Sequence, residues 1–367
     1  MAGHAPGFWR RLSDGVAIDQ LWSQLHADAR ATYRFYASEI DWAPREGEHK
    51  FHRGARIARA LLWALMMKLS PGRRVLFLIS LILLVVPGVQ VQSGDTRVHV
   101  DNLAVFGGLG MFVLLALELA DRVTMKRDLE IAREIQSWLM PSEPPTVPGV
   151  EIAFTTRPAN TVAGDYYDAF YRASDGRDRL LLVVADVAGK SVPAALLTAT
   201  LQASLHTLAA LPGNLVDLTT RLNQYACSQN LAGRRFTTAF LAEFEPDTGH
   251  LTYVNAGHNW PVLRHTSGAF ERLETGGLPL GILANSPYQS GTTTLNPGDL
   301  LLIFTDGLVE AEDAHQQEFG ENRMLSVLAN TGGSASDVLK GIMKAVDAFV
   351  GYTRQHDDIT CLVVRRG

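Results

Sequence analysis

Aspartates lie next to apolar, strand-like segments at four places in the second half of this chain. Asp186 ends the run LLLVVAD, Asp306 ends LLLIFTD, and residues 357–358 precede ITCLVV. Asp165, in AGDYYD, is predicted to follow a strand. Because strand ends bring distant residues to one edge of a sheet, we expect these carboxylates to lie together. Clustered carboxylates repel one another unless a positive charge lies among them, so the pattern predicts a site for divalent cations.

The kind of cation follows from the ligands that the sequence offers. Hard cations such as Mg²⁺ prefer carboxylate oxygens and leave room for water, whereas structural zinc sites use sets of cysteine and histidine. The chain has two cysteines, Cys227 and Cys361, which are far apart and lack ligand spacing. We therefore expect Mg²⁺ or Mn²⁺, and we interpret both cysteines as reduced core thiols.

A different chemistry is suggested by residues 189–191, where Gly-Lys-Ser follows the strand that ends at Asp186. A Walker-type phosphate loop requires a glycine five residues before the Gly-Lys-Ser. That position is Val184, inside the apolar run, so the glycine-rich cradle is missing and a nucleotide hydrolase is disfavoured. The net charge of −5 gives no overall basic footprint for nucleic acid.

The segments around the aspartates predict one α+β domain. The strand candidates are short, rich in branched residues and joined by turns such as PDTG and NPGD, which favours antiparallel pairing. They are 150–157, 179–187, 236–245, 250–257, 261–266, 288–295, 299–307 and 358–366. The predicted helices are 193–211, 214–230, 321–330 and 334–351. Runs of strands with clustered helices indicate layered sheets with helices outside.

The first 120 residues have a different character. Residues 8–56 predict a small helical unit without a signal peptide, and the basic, apolar segment before Pro71 predicts a helix that is either buried or on a membrane surface. Two hydrophobic stretches follow at 73–91 and 103–120, separated by a short polar loop and flanked by Arg and Lys. Their lengths approach the ~30 Å hydrocarbon core, and the flanking charges predict a transmembrane hairpin with both ends cytoplasmic.

Four regions are therefore expected. They are an N-terminal helical cytoplasmic region at 1–72, the transmembrane hairpin at 73–120, a linker helix at 121–145 and a globular domain at 146–367. The linker carries an imperfect apolar stripe that would allow it to pair with its copy in a homodimer. The proline-rich PSEPPTVPG then ends the helix.

The order of these motifs resembles one known family. Residues 131–367 are similar to the PPM-type metal-dependent protein phosphatases, and within them to the SpoIIE/RsbU-type serine phosphatases of bacteria. The matching pieces are AREIQSWLMP, RPANTVAGDYYD, VVADVAGKSVPAALL, FTTAFLAEFEPDTGHLTYVNAGHNWPVL, GGLPLGI, GDLLLIFTDGLVEA and HDDITCLVV. The resemblance implies an α-β-β-α sandwich, with two antiparallel sheets flanked by helices and metal ions at one edge.

The resemblance also implies roles for the first two acids. Asp186 would bridge two Mn²⁺ or Mg²⁺ ions. Asp165 would hold the first ion together with the main-chain carbonyl of Val187. These side chains would thus be the centre of the predicted site.

The second ion and the substrate phosphate involve other residues. Asp306 and Asp357 would hold the second ion, whereas Asp358 is expected to orient its neighbours or a metal-bound water. Arg157 and Lys190 are weaker candidates for contact with the phosphate of a substrate.

Three further positions qualify the resemblance. His258, in NAGHN, is better explained by a structural turn than by substrate contact. Ala163 and Ser191 stand where the family usually has glycine. Since both are small residues, we expect altered loop detail and intact metal ligation.

The implied function is hydrolysis of phosphoserine or phosphothreonine on a protein by a two-metal-activated water, without a covalent intermediate. The implied substrate is a STAS-type anti-anti-sigma protein in a partner-switching pathway. The enzyme would be a multi-pass protein of the bacterial inner membrane with its catalytic domain in the cytoplasm. The alternative is a non-catalytic, phosphatase-like scaffold that binds a phosphoprotein, which the retention of every expected acid argues against.

Overall fold

The computed structural model describes most of the chain. The described residues are 50–86, 89–93, 96–100, 102–174, 176–189, 191–229 and 235–367. The predicted helical unit at 8–56 lies almost wholly outside them, as does Lys190. Contacts between Cα atoms divide the chain into two compact units, Met1–Val123 and Thr124–Gly367. The four predicted regions, with a boundary near residue 145, stay a prediction.

The first unit consists of helices and a small β-hairpin in its described part. Its elements are α1 (Lys50–Lys68), α2 (Pro71–Val85), β1 (Val89–Ser93), β2 (Thr96–Val100) and the first part of α3 (Leu103–Leu139). Strands β1 and β2 pair antiparallel, so the segment predicted to be a polar loop forms a hairpin instead.

The prediction of two membrane-spanning helices is not supported. Helix α2 ends at Val85, and Val86 has the extended angles φ −79° and ψ 117°. The next residue is Pro87, and a proline disfavours the helical conformation in the residue before it. The 15 residues of α2 span only about 22 Å at the standard rise, well short of the ~30 Å hydrocarbon core.

Helix α3 is the longer of the two apolar helices. Within the described residues it is the one helix that is long and apolar enough to cross a membrane, with 37 residues and a mean hydropathy of 2.2 in its most apolar window. Only 11% of that window is buried. Gly107 of α3 packs against α2, because a Cβ there would lie 2.7 Å from the carbonyl oxygen of Ser80. One such helix is weak evidence for a membrane anchor.

The second unit contains the remaining strands and helices. Its strands are β3 (Val150–Arg157), β4 (Asp165–Ser174), β5 (Arg177–Val187), β6 (Thr237–Glu245), β7 (His250–Ala256), β8 (Val262–Arg264), β9 (Phe270–Arg272), β10 (Gly276–Gly277), β11 (Gly291–Thr294), β12 (Leu300–Phe304) and β13 (Ile359–Arg366). After the end of α3, its helices are α4 (Val192–Ala209), α5 (Leu215–Gln229), α6 (Asp306–Val309), α7 (Gly320–Asn330) and α8 (Ala335–Val350).

The strands form two sheets. One has the order β10-β7-β6-β5-β4, with β11 also paired to β7, and the other has the order β3-β13-β12-β8-β9. All pairings are antiparallel except that of β10 with β7. Helices α4 and α5 cover the first sheet and α7 and α8 cover the second. The predicted α-β-β-α sandwich is therefore confirmed.

Strand β5 shows why the central strands are apolar along their whole length. Leu180, Leu182 and Val184 belong to the core between the two sheets. The alternate residues Leu181 and Val183 belong to the core beneath α4 and α5. Since successive side chains point to opposite faces, a strand covered on both faces reads as an unbroken apolar run.

A buried ion-pair cluster joins three strands away from the apolar cores. The carboxylate of Glu243 accepts from Arg172 Nη1 at 2.6 Å, and from Arg179 Nη1 and Ser174 Oγ, each at 3.1 Å. Arg172 also donates to the carbonyl of Gly213 at 2.9 Å. The side chains of Arg172 and Glu243 are almost fully buried. This cluster fixes the far ends of β4, β5 and β6 to one another.

Candidate functional site

Asp165 and Asp186 lie directly opposite each other. Asp165 is the first residue of β4 and pairs with Asp186 near the end of β5. The expectation that Asp165 follows a strand is therefore wrong, because the strand begins at this residue. The alternation along β4 and β5 explains their common direction, since Tyr167 and Val184, two residues from each aspartate, belong to the inter-sheet core. The two carboxylates lie at the open end of that core.

The second sheet contributes hydroxyl groups at the same end. Thr305 follows β12, and its Oγ1 donates to Asp165 Oδ2 at 2.9 Å. Thr305 Oγ1 in turn accepts from the backbone amide of Thr360 at 3.0 Å. Asp165 is thus hydrogen-bonded across the sandwich, from the first sheet to the second.

Burial and neighbouring charge both favour the protonated forms of the two opposed aspartates. Burial, followed by the charge of Asp186, raises the pKa of Asp165 well above its ordinary value. Burial, followed by the charges of Asp306, Asp357 and Asp358, raises the pKa of Asp186 to about 7. The main influences on both groups are thus burial and other carboxylates, which is the situation that a bound cation would relieve.

Asp358 fastens the loop that leads to Asp165. Its Oδ1 accepts from the backbone amide of Ala159 at 2.7 Å, and its Oδ2 from that of Gly164 at 2.6 Å. Its own amide donates to Asp357 Oδ1 at 3.0 Å. These bonds favour an orienting role for Asp358, while the assignment of Asp357 as a direct ligand stays a prediction.

Asp306 begins the short helix α6, which closely approaches the start of β13. A Cβ on Gly307 would lie 2.0 Å from the carbonyl oxygen of Asp358. Such a distance is impossible for a real side chain, so glycine at 307 is what allows Asp306 to lie beside Asp357 and Asp358. The requirement comes from close approach, not from an unusual backbone angle.

The site aspartates lie near one another, but their side chains are not arranged as a complete set of metal ligands. Among the described residues, no group of three His, Cys, Asp or Glu side chains is arranged to hold an ion as it stands. Nevertheless, the charges of Asp306 and of the adjacent Asp357 and Asp358, from two further segments of the chain, act on Asp186. The side chains would have to turn toward an ion to bind it.

Comparisons with known proteins agree with this architecture. The family model of Stage II sporulation protein E (SpoIIE) matches residues 176–367, which is 192 of the 367 residues. This chain belongs to the SpoIIE family. Asp186, Asp306, Asp357 and Asp358 lie inside the matched segment, and Asp165 lies before it.

Two curated relatives and one solved structure extend the match. Protein IcfG of Synechocystis is 28% identical over 313 residues, 76% of this chain and 48% of IcfG. Phosphoserine phosphatase RsbU of Bacillus subtilis is 29% identical over 251 residues, 66% of this chain and 71% of RsbU. This chain therefore spans about half the length of IcfG. The SiaA-PP2C domain of Pseudomonas aeruginosa shares the fold at a TM-score of 0.58 and 22% identity, covering 68% of this chain and 99% of that domain.

Gln136 is one of the residues of this SpoIIE-family site that the sequence patterns did not predict, as are Thr198 and Thr305. Gln136, near the end of α3, is 9% exposed. Its Nε2 donates to the carbonyl of Ala163 at 2.7 Å, and its Oε1 accepts from the amide of Ala163 at 2.9 Å. The linker helix is thereby fastened to the loop two residues before Asp165. A single glutamine in a charged helix gives no signal that would distinguish it.

Helix α4 fastens the next residue of the same loop. The carbonyl of Gly164 accepts from Thr198 Oγ1 at 2.8 Å and from the amide of Val187 at 3.4 Å. A Cβ on Gly164 would lie 3.4 Å from the carbonyl oxygen of Val187, so that carbonyl faces the turn before Asp165. The predicted use of this carbonyl as a metal ligand stays a prediction.

Two weaker candidates have definite positions. Arg157 ends β3, donates to Asp347 Oδ1 at 2.5 Å and lines a cavity of about 310 Å³ that also includes Asp357. His258 is buried, its Nδ1 lies 3.0 Å from Thr238 Oγ1, and burial lowers its pKa to about 4. His258 is consequently neutral near pH 7. The third candidate, Lys190, lies outside the described residues.

Ser191 and Ala163, which stand where the family usually has glycine, differ in their backbone conformation. Ser191 has φ 67° and ψ −151°, a conformation that costs a residue with a Cβ. Ala163 is not among the described residues with positive φ, so its Cβ is accommodated without backbone strain. The backbone conformation at position 191 therefore explains why the family usually has glycine there. The backbone conformation at position 163 gives no such reason.

Replacing Ser191 with Gly is expected to raise the free energy of unfolding by about 1 kcal/mol, because it removes this strain. Ala163→Gly, the matched control, is expected to lower it by about 0.5–1 kcal/mol through added freedom of the unfolded chain. Urea unfolding of the two variants measures both effects. Equal destabilisation by both variants would contradict the strain at Ser191.

Proposed function

We propose that this chain is a metal-dependent phosphatase that hydrolyses phosphoserine or phosphothreonine on a protein. The observation that carries the proposal is the environment of Asp186, on which burial and the charges of Asp306, Asp357 and Asp358 act together. Asp165 faces it across the strand pair. Carboxylates from four segments of the chain are gathered here, with Asp165 and Asp358 buried and the others partly buried, and such a group suits small, hard cations. Membership of the SpoIIE family and the name of RsbU support the same activity.

The proposed cofactor is a pair of Mn²⁺ or Mg²⁺ ions. Bound at these carboxylates, such ions would supply a water of lowered pKa and would neutralise charge on the phosphate. Asp186 would contact both ions, Asp165 and the carbonyl of Val187 one of them, and Asp306 and Asp357 the other. The raised pKa values of Asp165 and Asp186 mean that binding would release protons.

The remaining residues of the site would position these ligands. Asp358 holds the amides of Ala159 and Gly164 and so would fix the loop that carries Asp165. Arg157, at the cavity beside Asp357, would contact the phosphate after release from Asp347. Lys190 would add a second positive charge near it.

A phosphate-release assay tests this function. The chain, purified in detergent, is expected to release phosphate from a phosphoserine peptide with Mn²⁺ or Mg²⁺ present and to stop when EDTA is added. Binding of the phosphopeptide without any release of phosphate would favour the scaffold alternative instead.

The proposed substrate is a phosphorylated STAS-type regulatory protein, and the proposed location is the cytoplasmic side of the bacterial inner membrane. The substrate rests on similarity to RsbU, a named phosphoserine phosphatase. The proposed membrane location is supported by the apolar part of α3. If alkaline carbonate extracted the chain completely from bacterial membranes, an anchor through α3 would be excluded.

The linker part of α3 has two faces with different environments. Ile135 and Trp138 on one face are 49% and 73% exposed, whereas Gln136 is buried against the loop at Ala163. We propose that the exposed apolar face pairs with its copy in a homodimer. Light scattering tests this pairing, since Ile135→Glu with Trp138→Glu is expected to lower the mass to that of the monomer.

Gln136 is expected to control the order of the metal site. Gln136→Ala leaves the buried amide and carbonyl of Ala163 without their hydrogen-bond partners. The resulting loss of free energy is about 1–3 kcal/mol. We expect kcat/KM to fall on the order of tenfold, with a higher metal concentration needed for half-maximal rate. Steady-state hydrolysis measured across a manganese titration provides this test.

Ser137→Ala is the matched control for this experiment. Its hydroxyl donates only to the carbonyl of Glu134 within the helix, at 2.7 Å. Its metal dependence is expected to equal that of the unmodified chain. If Gln136→Ala behaved in the same way as Ser137→Ala, coupling of the linker helix to the site would be excluded.

A further inference from the structure

A basic groove lies beside the candidate metal site. It has a volume of about 470 Å³ and is lined by the loop 159–162, Ser191, Arg354 and four residues of α3, which are Lys126, Leu129, Glu130 and Arg133. All of these residues belong to the unit Thr124–Gly367. We call this feature the basic groove.

The charges of the basic groove are mainly positive. Arg133 and Arg354 are exposed, and neither has a carboxylate partner among the described residues. Lys126 is partly compensated by Glu130, at 3.8 Å in the exposed i,i+4 arrangement. Three cations and one carboxylate therefore line the groove, and neither guanidinium group is in ion-pair contact with a carboxylate of the described residues, in a chain whose net charge is −5.

Each wall of the groove continues into a segment that carries a site aspartate. The loop 159–162 leads to Asp165, and Ser191 follows Asp186 by five residues. Arg354 precedes Gln355, whose Nε2 donates to the carbonyl of Asp357 at 2.6 Å. A ligand in the groove would therefore contact the segments that position the aspartates of the metal site.

The cavity that includes Asp357 and Arg157 has the opposite character. Its lining includes four further acids, at positions 310, 312, 318 and 347. The site therefore borders the acidic cavity through Asp357 and the basic groove through Ala159, whose amide donates to Asp358. An extended protein segment that brings a phosphoserine to the site would meet different charges on its two sides.

We propose that the basic groove binds acidic residues adjacent to the phosphoserine of the protein substrate. The inference rests on the proposed phosphatase function and adds a sequence preference to it. Arg133 and Arg354 pair with Asp or Glu side chains of the substrate, while the phosphate occupies the metal site. Because Arg133 lies one turn before Gln136 on α3, a bound substrate holds the linker helix against the catalytic loop.

A Glu peptide and a Gln peptide, each with a central phosphoserine, test the preference. The Glu peptide has three Glu residues on one side of the phosphoserine, before it in one version and after it in another, and the Gln peptide has Gln at the same places. With the full chain, the version of the Glu peptide whose acidic side meets the basic groove is expected to show a kcat/KM roughly fivefold higher than the Gln peptide, mainly through KM, because several exposed ion pairs act together. The preference is expected to shrink as salt rises from about 0.05 to about 0.5 M, where screening is strong.

Charge reversal identifies the residues responsible. Arg133→Glu with Arg354→Glu is expected to reduce the ratio of the two kcat/KM values to one or below. Arg133→Gln and Arg354→Gln, which alter the surface less, are expected to give intermediate ratios. Arg177→Glu is the matched control, because this exposed arginine begins β5 at the end of the strand far from Asp186, and it is expected to leave the ratio unchanged.

The outcomes separate the two hypotheses. Hydrolysis of both peptides with a ratio that the double variant does not change would overturn the acidic preference and leave the phosphatase function standing. Absence of hydrolysis of either peptide by the unmodified chain, with metal present, would overturn both. A fall in kcat for both peptides alike would assign the two arginines a structural role and would also overturn the preference.

Discussion

Asp186→Asn is expected to reduce metal-dependent hydrolysis of a phosphoserine peptide by about a thousandfold or more. The proposed role of Asp186 is contact with both ions, and loss of several kcal/mol of stabilisation corresponds to such a factor. Initial rates across a manganese titration measure the effect. Asp247→Asn, at an exposed turn beyond the far end of β6, is the control and is expected to keep the full rate.

The same variant is expected to be more stable than the unmodified chain in the absence of metal at neutral pH. The pKa of Asp186 is raised to about 7 in the folded chain, against roughly 3.9 when unfolded. Between these values the unfolded chain is ionised and the folded chain retains the proton, so stability is lost as the pH rises from about 4 through 7. Asparagine does not titrate and avoids this loss.

Thermal unfolding in EDTA therefore distinguishes a chemical defect from a folding defect. Tm of Asp186→Asn is expected to exceed that of the unmodified chain at pH 8 and to match it near pH 4. A variant that retained activity, or one with a lower Tm at both pH values, would contradict the role given to Asp186.

Glu243→Gln is expected to lower the free energy of unfolding by about 3–5 kcal/mol, because it leaves the buried guanidinium of Arg172 without a counter-charge. The substitution keeps the volume, so no cavity contributes. Urea unfolding gives the change directly. Glu243 lies five residues after Thr238, the residue of β6 that pairs with Asp186, which is about 17 Å at the spacing of a strand. The folded variant is therefore expected to keep its rate.

Glu245→Gln, two residues along the same strand, is the control. Glu245 pairs with Arg179 at 3.0 Å in a more exposed place, and its replacement is expected to cost less than about 1 kcal/mol. Replacing Arg172 and Glu243 together by Met and Leu is expected to recover most of the lost stability. A Glu243→Gln variant as stable as Glu245→Gln would show that the buried pair contributes little.

The elements with strong periodicity were predictable from the sequence. The apolar run that ends at Asp186, the strand at 150–157 and the helices after Ser191 and Ser334 all lie close to their predicted bounds. The runs of strands with clustered helices indicated layered sheets, and the resemblance to a known family added the α-β-β-α order. These features depend on hydrophobic pattern and on turns, which are local properties of the chain.

Other features depend on tertiary contacts and were missed. Strand β4 was not predicted, because DYYDAFYRAS mixes charged and aromatic residues and Asp165 was placed after a strand. Gln136 and Thr198 act through the backbone of Ala163 and Gly164, distant in sequence. The helix expected at 73–91 was wrong for a local reason, since Pro87 lies inside the hydrophobic run.

The pairing of β4 with β5 has a consequence for folding errors. Ten consecutive residue pairs join these strands, from Asp165 with Asp186 to Ser174 with Arg177. A slip of one residue would turn Asp165 toward the helical layer and bring Tyr166 into its place, since neighbouring side chains face opposite ways. A misaligned molecule would thus retain most of its secondary structure and still lack the opposed pair Asp165 and Asp186. The position of Asp165 opposite Asp186 therefore depends on the correct register of all ten pairs, including those far from the candidate metal site.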